Sequence, residues 1–557
     1  MFLCLLSFFL LMMLFIIFFF WGSMLLFMNL FILLEWNLIN FNSVNLSMMI
    51  LLDFISMYFV SLVMFISSMI FLYSVGYMSH DKFIDRFYYL MILFIISMIL
   101  MILSPNLITI LLGWDGLGLI SYCLVIYYQN FNSLKSGMVT IMINRIGDIG
   151  ILMSLFLILF FGSFNMVFNF NNKLLIFLIL LAIFTKSAQI PFSSWLPMAM
   201  SAPTPVSCLV HSSTLVTSGV YLMIRFNFSI SNSSINWMIL LLSMMTMVYF
   251  GVVANYEFDL KKIIALSTLS QLGLMMIILC LGNIKIGFYH LFIHAVFKSL
   301  LFMCSGMLIH LMMNFQDIRY MGGFIKFCPN LVMIFVVANF ALMGIPFFSG
   351  FYSKDLILES VLFNKFNLVI MYMIYFSIGL TVCYSIRLIY YILIHNFNFL
   401  NFYFIKEDKI MLMSMMFLVF LSIFCGSLFG WLLNLNISVN FLSNKFKFMI
   451  SFILLVGVLV GMMVSNFFYI FNQVKKIKSI INKMFLLNYL VFMNFNLFLN
   501  SSMKFYMNME KGWMEIIEGK NFIKVFIKMN NFNELIYYLL FMFIYLFLFM
   551  FIYLLYY

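Results

Sequence analysis

Charge is scarce in this sequence. Asp, Glu, Lys and Arg make up 8% of its 557 residues, against roughly 25% in a soluble globular domain, so a large water-soluble core cannot explain the composition. Proline is scarce too: there are 7, and four of them fall between residues 191 and 205, leaving most of the chain free to form long uninterrupted helices. The eight cysteines (4, 123, 208, 280, 304, 328, 383 and 425) are scattered, and none forms a Cys-x-x-Cys pair. Iron–sulfur, haem-attachment and structural zinc sites therefore have no sequence support. There is also no Gly-x-Gly-x-x-Gly stretch of the kind that seats a dinucleotide.

What is abundant is apolar. The chain is 66% hydrophobic, with 74 Phe and 52 Met, and its mean hydropathy is +1.16. This bias, with plentiful Ile, Asn and Tyr, suits an AT-rich genome such as a mitochondrial one. Apolar runs long enough to cross a bilayer recur from end to end. They are expected at 2–21, 49–73, 87–103, 106–127, 138–161, 174–226 (broken), 235–255, 260–282, 288–311, 330–362 (broken), 368–394, 410–432, 449–472 and 535–557, with 23–40 a further candidate. The first run lacks a basic segment before it and is too long for an ordinary signal peptide, so it is expected to be a retained helix. The net charge of +12 then fits Lys and Arg in loops that set topology and touch anionic lipid; nucleic acid is not expected as a partner.

Two places interrupt the helices in the same way. Pro191, Pro197, Pro203 and Pro205 lie within KSAQIPFSSWLPMAMSAPTPVS, and Pro346 lies with Gly344 and Gly350 in GIPFFSGFYSKD. Each break contains Ile-Pro-Phe and has a lysine near it, Lys186 before the first and Lys354 after the second. Interrupted segments in corresponding parts of a transporter point to an ion site, because irregular backbone at membrane depth survives only inside protein or beside water. Two ordinary loops between separate helices are the plainer reading.

Ionisable residues are stranded in the apolar spans. Asp115 sits in LLGWDGLGLISY; Arg145 and Asp148 are i, i+3 neighbours in NRIGD; Lys186 follows LLIFLILLAIFT; His211 opens HSSTLVTSGVYLMIRF; and Lys261 leads into IIALSTLSQLG. His290, His294 and Lys298 recur every four residues in HLFIHAVFKS, close to one helical face, and Lys354 stands beside Asp355. An ionised group at the bilayer centre costs several kcal/mol and faces a partner or water. Individually each could be a structural ion pair; together they read as a chain of proton sites, with histidine the natural shuttle. Zinc at His290 and His294 is disfavoured, since no Glu lies between them, no third ligand is evident and a lysine follows one turn on.

Taken together, GWDGLGLISY, NRIGDIG, TKSAQIPFSSWLPMAMSAPTPVSCLVHSSTLVTSGVYLMIRF, HLFIHAVFKSLLFMCSGMLIH, QDIRYMGG and GIPFFSGFYSKD resemble the chain 5 family of mitochondrial NADH:ubiquinone oxidoreductase (respiratory complex I). These are antiporter-like subunits of the membrane arm, and composition and loop style look like insect members. The resemblance covers roughly residues 50–395 in motifs and the two ends in layout. It implies an all-α polytopic protein with two inverted five-helix repeats, two broken helices, a lateral amphipathic helix and a terminal anchor helix. Residue by residue, Asp115 stands at the first-channel acid, Lys186 at the lysine of the first broken helix and His211 at the histidine after Pro-Thr-Pro-Val-Ser. Lys261 begins the bridging helix, Lys298 is the central lysine, His290 and His294 are the histidine pair, Lys354 and Asp355 the pair at the second break, and Arg145 and Asp148 belong to the Asn-Arg-x-Gly-Asp motif.

Two departures stand out. The first acid is Asp115 where many relatives carry glutamate, so either its helix sits closer to Lys186 or a water bridges them. GWDGLG also comes early in the chain, as if the family's first helix were absent, and about fifteen helices are expected.

The expected layout is N-terminal helices (1–76), a translocation core (77–395), further spans (396–472), a lateral interfacial region (473–534) and an anchor (535–557). In the interfacial region Ile516, Ile523 and Ile527 share a helical face next to Lys520, Lys524 and Lys528. The function this implies is proton translocation across the mitochondrial inner membrane, coupled to electron transfer from NADH to ubiquinone. NADH, FMN, iron–sulfur clusters and quinone then belong to other subunits, with no cofactor or metal in this chain. Expected partners are neighbouring antiporter-like subunits, accessory subunits and phospholipids including cardiolipin. A Na⁺ or K⁺/H⁺ antiporter subunit is the alternative, and a non-pumping scaffold a third reading that the regular string of acid and lysine sites disfavours.

Overall fold

The computed structural model describes residues 2–41, 44–160, 164, 172–363, 368–399, 407–433, 442–471, 487–508 and 542. They fall in two units, Met1–Phe485 and Leu486–Tyr557.

The first unit opens with α1 (Phe2–Met28), an almost wholly apolar helix. It stops where Asn29 takes a left-handed backbone (φ 49°). Two strands follow, β1 (Ile32–Phe41) and β2 (Val44–Leu52), paired antiparallel with Ile32 opposite Leu52 and Phe41 opposite Val44. This hairpin corrects two expectations: 23–40 is not an additional span, and the span expected from residue 49 begins only at α2 (Phe54–Tyr77). Asp53 fixes that start, because its carboxylate accepts from the Ser56 N–H while the Ser56 hydroxyl accepts from the Asp53 N–H.

There follow α3 (Ile84–Leu103), α4 (Leu107–Val125), α5 (Phe131–Leu159) and α6 (Lys173–Lys186). The first break then runs through short helical turns and a π-helical stretch, Ser207–Thr214, before α7 (Leu215–Arg225). Next come α8 (Asn236–Tyr256), α9 (Leu260–Cys280) and α10 (Ile284–Leu311). α11 (Pro329–Met343) and α12 (Ser349–Phe363) flank the second break, where Gly344 is left-handed at φ 83°. α13 (Leu368–Ile389), α14 (Lys409–Leu432) and α15 (Asn444–Phe471) complete the described part of this unit. In the second unit α16 spans Leu487–Asn508. The amphipathic stretch at 516–528 and the anchor at 535–557 lie outside the described residues, Met542 excepted.

Among the described residues twelve helices are long and apolar enough to cross a membrane. α6, α11 and α12, at 14, 15 and 15 residues, are shorter because the breaks cut their helices.

Hydrophobicity does not sort inside from outside here, since lipid is as apolar as leucine. α1 exposes Phe9, Phe20 and Phe27, whereas α9 and α10 are buried almost throughout and carry the polar residues. α10 is the hub, packing on α2, α7, α9, α11, α12 and α14.

Candidate functional site

The first cluster lies where α4, α5 and α6 meet. Lys186 is the last residue of α6 and is fully buried. Its ammonium donates to the Trp114 carbonyl at 3.4 Å and lies 4.9 Å from the Trp114 ring centre. Gly118, one turn on from Trp114, lies beside the ammonium: a β-carbon there would meet Nζ at 3.6 Å, an ordinary contact. The Trp114 indole N–H donates to Asp148 at 2.9 Å, so the Asn-Arg-x-Gly-Asp motif anchors the residue that carries the lysine. Arg145 lies 3.2 Å from Asp148 and 4.0 Å from Asp115.

The expected Asp115–Lys186 pair is therefore not formed directly. Asp115 leans towards the half-exposed Arg145, and no carboxylate comes within 4.0 Å of the Lys186 ammonium among the described residues. An aspartate reaches one methylene less far than a glutamate, and the lysine rests on the Trp114 carbonyl instead. One carboxylate oxygen of Asp115 is buried with no protein hydrogen-bond partner.

Between the two breaks, Lys261 in the first turn of α9 donates to the Ala202 carbonyl at 3.2 Å, in the irregular backbone of the first break. His211 belongs to the π-helical stretch; its side chain is outside the described set. On α10, Lys298 donates to the Ser267 hydroxyl of α9 at 2.5 Å. The His290 and His294 ring centres are 6.3 Å apart, as one helical turn requires. His290 Nδ1 bonds the Ser353 hydroxyl at 2.9 Å, whereas His290 Nε2 and both nitrogens of His294 have no protein partner. Ser353 precedes Lys354, whose ammonium donates to the Leu342 carbonyl across the second break. Lys261, His290, His294, Lys298, Ser353 and Lys354 are all buried in the protein interior.

Asp355 does not pair with Lys354. Adjacent residues on a helix diverge by about 100°, and Asp355 turns to a half-buried position whose charged neighbours are Glu359 and Lys447. Neighbours in sequence were read as partners in space.

Several residues escaped sequence reading. Asp53 and Arg225 form a two-pronged ion pair at 2.5 and 2.8 Å, and Arg225 also donates to the Tyr221 hydroxyl. Burial alone would raise the Asp53 carboxyl, but the Arg225 guanidinium and Ser56 hold it below the usual aspartate range. The partners are 172 positions apart, and only Asp53's place before an apolar run hinted at a cap. Arg387, near the end of α13 and fully buried, donates to the carbonyls of Ala254, Asn255 and Glu257 and lies over the Phe258 ring. A lone arginine in an apolar run was the available signal.

Buried lysines beside broken helices, joined through a central polar helix, define an antiporter-like polytopic membrane protein. The fold is similar to that of a chain in the Mrp complex from Dietzia sp., with a TM-score of 0.74 at 21% identity over 88% of this chain and 56% of that one. The family model described as NADH:quinone oxidoreductase/Mrp antiporter, TM, matches residues 104–381. Those for the chain 5 N-terminus and the NADH dehydrogenase subunit 5 C-terminus match 36–88 and 384–557. NADH-ubiquinone oxidoreductase chain 5 of Aedes aegypti is 49% identical, over 80% of this chain and 78% of that protein. The Anopheles gambiae protein is 45% identical over 91% and 89%, and that of Locusta migratoria 44% over 90% and 90%. The chain belongs to the NADH-ubiquinone oxidoreductase chain 5 family.

Proposed function

We propose that this chain is a proton-translocating subunit in the membrane arm of NADH:ubiquinone oxidoreductase, in the mitochondrial inner membrane. The observation that carries the reading is the interior series Lys298, His294, His290, Ser353 and Lys354, buried together with three imidazole nitrogens unmatched by protein. Groups so placed can pass protons through intervening water and have no packing purpose that apolar residues would not serve better. Lys186, with Arg145, Asp115 and Asp148, is a second proton-handling cluster, and Lys261 and His211 belong to the stretch between them.

NADH, FMN, iron–sulfur clusters and ubiquinone are then held by partner subunits, and the share of this chain is the coupled proton step. Neighbouring antiporter-like subunits, accessory subunits and phospholipids such as cardiolipin complete its surroundings. A cation/H⁺ antiporter subunit is the competing reading; the subunit 5 C-terminal match over 384–557 favours the first. The test is the ratio of protons pumped to NADH oxidised in vesicles bearing the assembled enzyme with Lys298→Met. The ratio should fall while assembly persists; an unchanged ratio would remove this chain from the proton path.

A further inference from the structure

One set of buried polar side chains remains unused by the sites above. It runs from the first break to the turn after α2. Thr204 is fully buried in the break, two residues beyond the Ala202 carbonyl that receives Lys261, and its hydroxyl has no protein hydrogen-bond partner of good geometry. Tyr73, fully buried on α2, bonds the Met303 carbonyl at 3.2 Å. One turn on, the Tyr77 ring stacks on Tyr73 at 5.8 Å and stands 5.7 Å from the His310 ring, in the last turn of α10. Tyr77 and His310 are half-buried, and Asp81 lies in the turn just beyond α2.

Gly306 makes the meeting possible. A β-carbon at that position would lie 2.5 Å from the Tyr73 hydroxyl and 2.6 Å from the Thr204 hydroxyl. Both oxygens occupy the space that any other residue would fill. Asp81, His310 and Tyr77 are half-buried, whereas Tyr73, Thr204 and Lys261 are buried.

We propose that His310, Tyr77, Tyr73 and Thr204 line a water-accessible proton path from the Asp81 side of the protein to Lys261. Each hydroxyl accepts one proton and releases its own, and an imidazole exchanges one nitrogen's proton for the other's, so every group returns to its starting form. Water completes the steps between side chains not in contact. The role of the path rests on the proton-translocation reading; its existence does not.

Existence is tested by access. In sealed vesicles carrying the assembled complex with Thr204→Cys, a small cationic methanethiosulfonate is applied from each side in turn, with the unsubstituted complex as baseline. Modification should be about tenfold faster from the Asp81 side, and Gly306→Ala should slow it again by about tenfold by filling the junction. If Gly306→Ala fails to assemble, His310→Trp closes the mouth instead and should slow labelling likewise. No labelling from the Asp81 side, or labelling indifferent to both closures, overturns the path. If labelling behaves as expected but the closed variant pumps normally, the water access stands and its role as a proton path is overturned, while the proton-translocation reading is decided separately by Lys298→Met.

Discussion

Both broken helices rest their lysines on backbone carbonyls, Lys186 on Trp114 and Lys354 on Leu342, but the charges around the two differ. Around the first, carboxylates stand close by: Asp115, the residue after Trp114, and Asp148 with Arg145, and Asp53 with Arg225 at the end of α7. Around the second, Lys298 leans on the Ser267 hydroxyl, Lys354 on the Leu342 carbonyl and Arg387 on the carbonyls ending α8. Acids brace the fold of the first region through Asp53–Arg225 and through Asp148 with Trp114 and Arg145. In the second region Lys298 and Lys354 rest on neutral acceptors, with no carboxylate in direct contact with either ammonium among the described residues. On the proton-relay reading proposed above, neutral acceptors suit groups that exchange protons with water, and ion pairs suit a brace.

That contrast can be broken experimentally. The largest effect is expected from Arg225→Leu, which strands Asp53 and should cost about 3–5 kcal/mol, as removing one partner of a buried pair does. Native electrophoresis should show little assembled complex; normal assembly would mean the pair does not brace the first region. Asp148→Ala should come next, at about 1.5–3 kcal/mol for the lost hydrogen bond from Trp114, with little added by the half-exposed Arg145. The readout is the thermal inactivation of the enzyme.

Asp115→Asn sharpens the division within the first cluster. Asp115 makes no close hydrogen bond that holds the fold, so assembly should persist while proton pumping drops by about tenfold, or about 1.4 kcal/mol. Equal damage to both would make Asp115 another brace. Ser267→Asp converts the second region to the style of the first. A carboxylate against Lys298 should fix the ammonium and slow NADH-driven pumping about tenfold. If pumping is unaffected, neutral surroundings are not what the relay depends on. Asp355→Asn should do least, under about 0.5 kcal/mol, the scale for sites outside a specific contact, because the carboxylate does not touch Lys354.

Why some of this could be read from residues alone, and some not, follows from the same physics. Stranded charges and proline–glycine breaks are loud in apolar sequence, so Lys186, Lys298, Lys354 and both interruptions were legible. The hairpin at 32–52 was not, because its leucines, isoleucines and methionines are as apolar as a span, and periodicity cannot separate short apolar strands from helix. Pairings were the weakest point. Sequence set Asp115 opposite Lys186, directly or through water, and no direct bond forms; it paired Asp355 with Lys354, but adjacent residues on a helix diverge, and which oxygen a lysine reaches depends on rotamers. The Asp53–Arg225 and Arg387 contacts join distant segments and left no local pattern.

The most direct measurement is a map of the assembled membrane arm sharp enough to resolve waters around α10. Buried polar atoms are rarely left without partners. Water is therefore expected within hydrogen-bonding distance of His290 Nε2 and of both nitrogens of His294, forming a continuous file from Lys298 to Lys354. A dry apolar contact around His294 would contradict the relay at its centre.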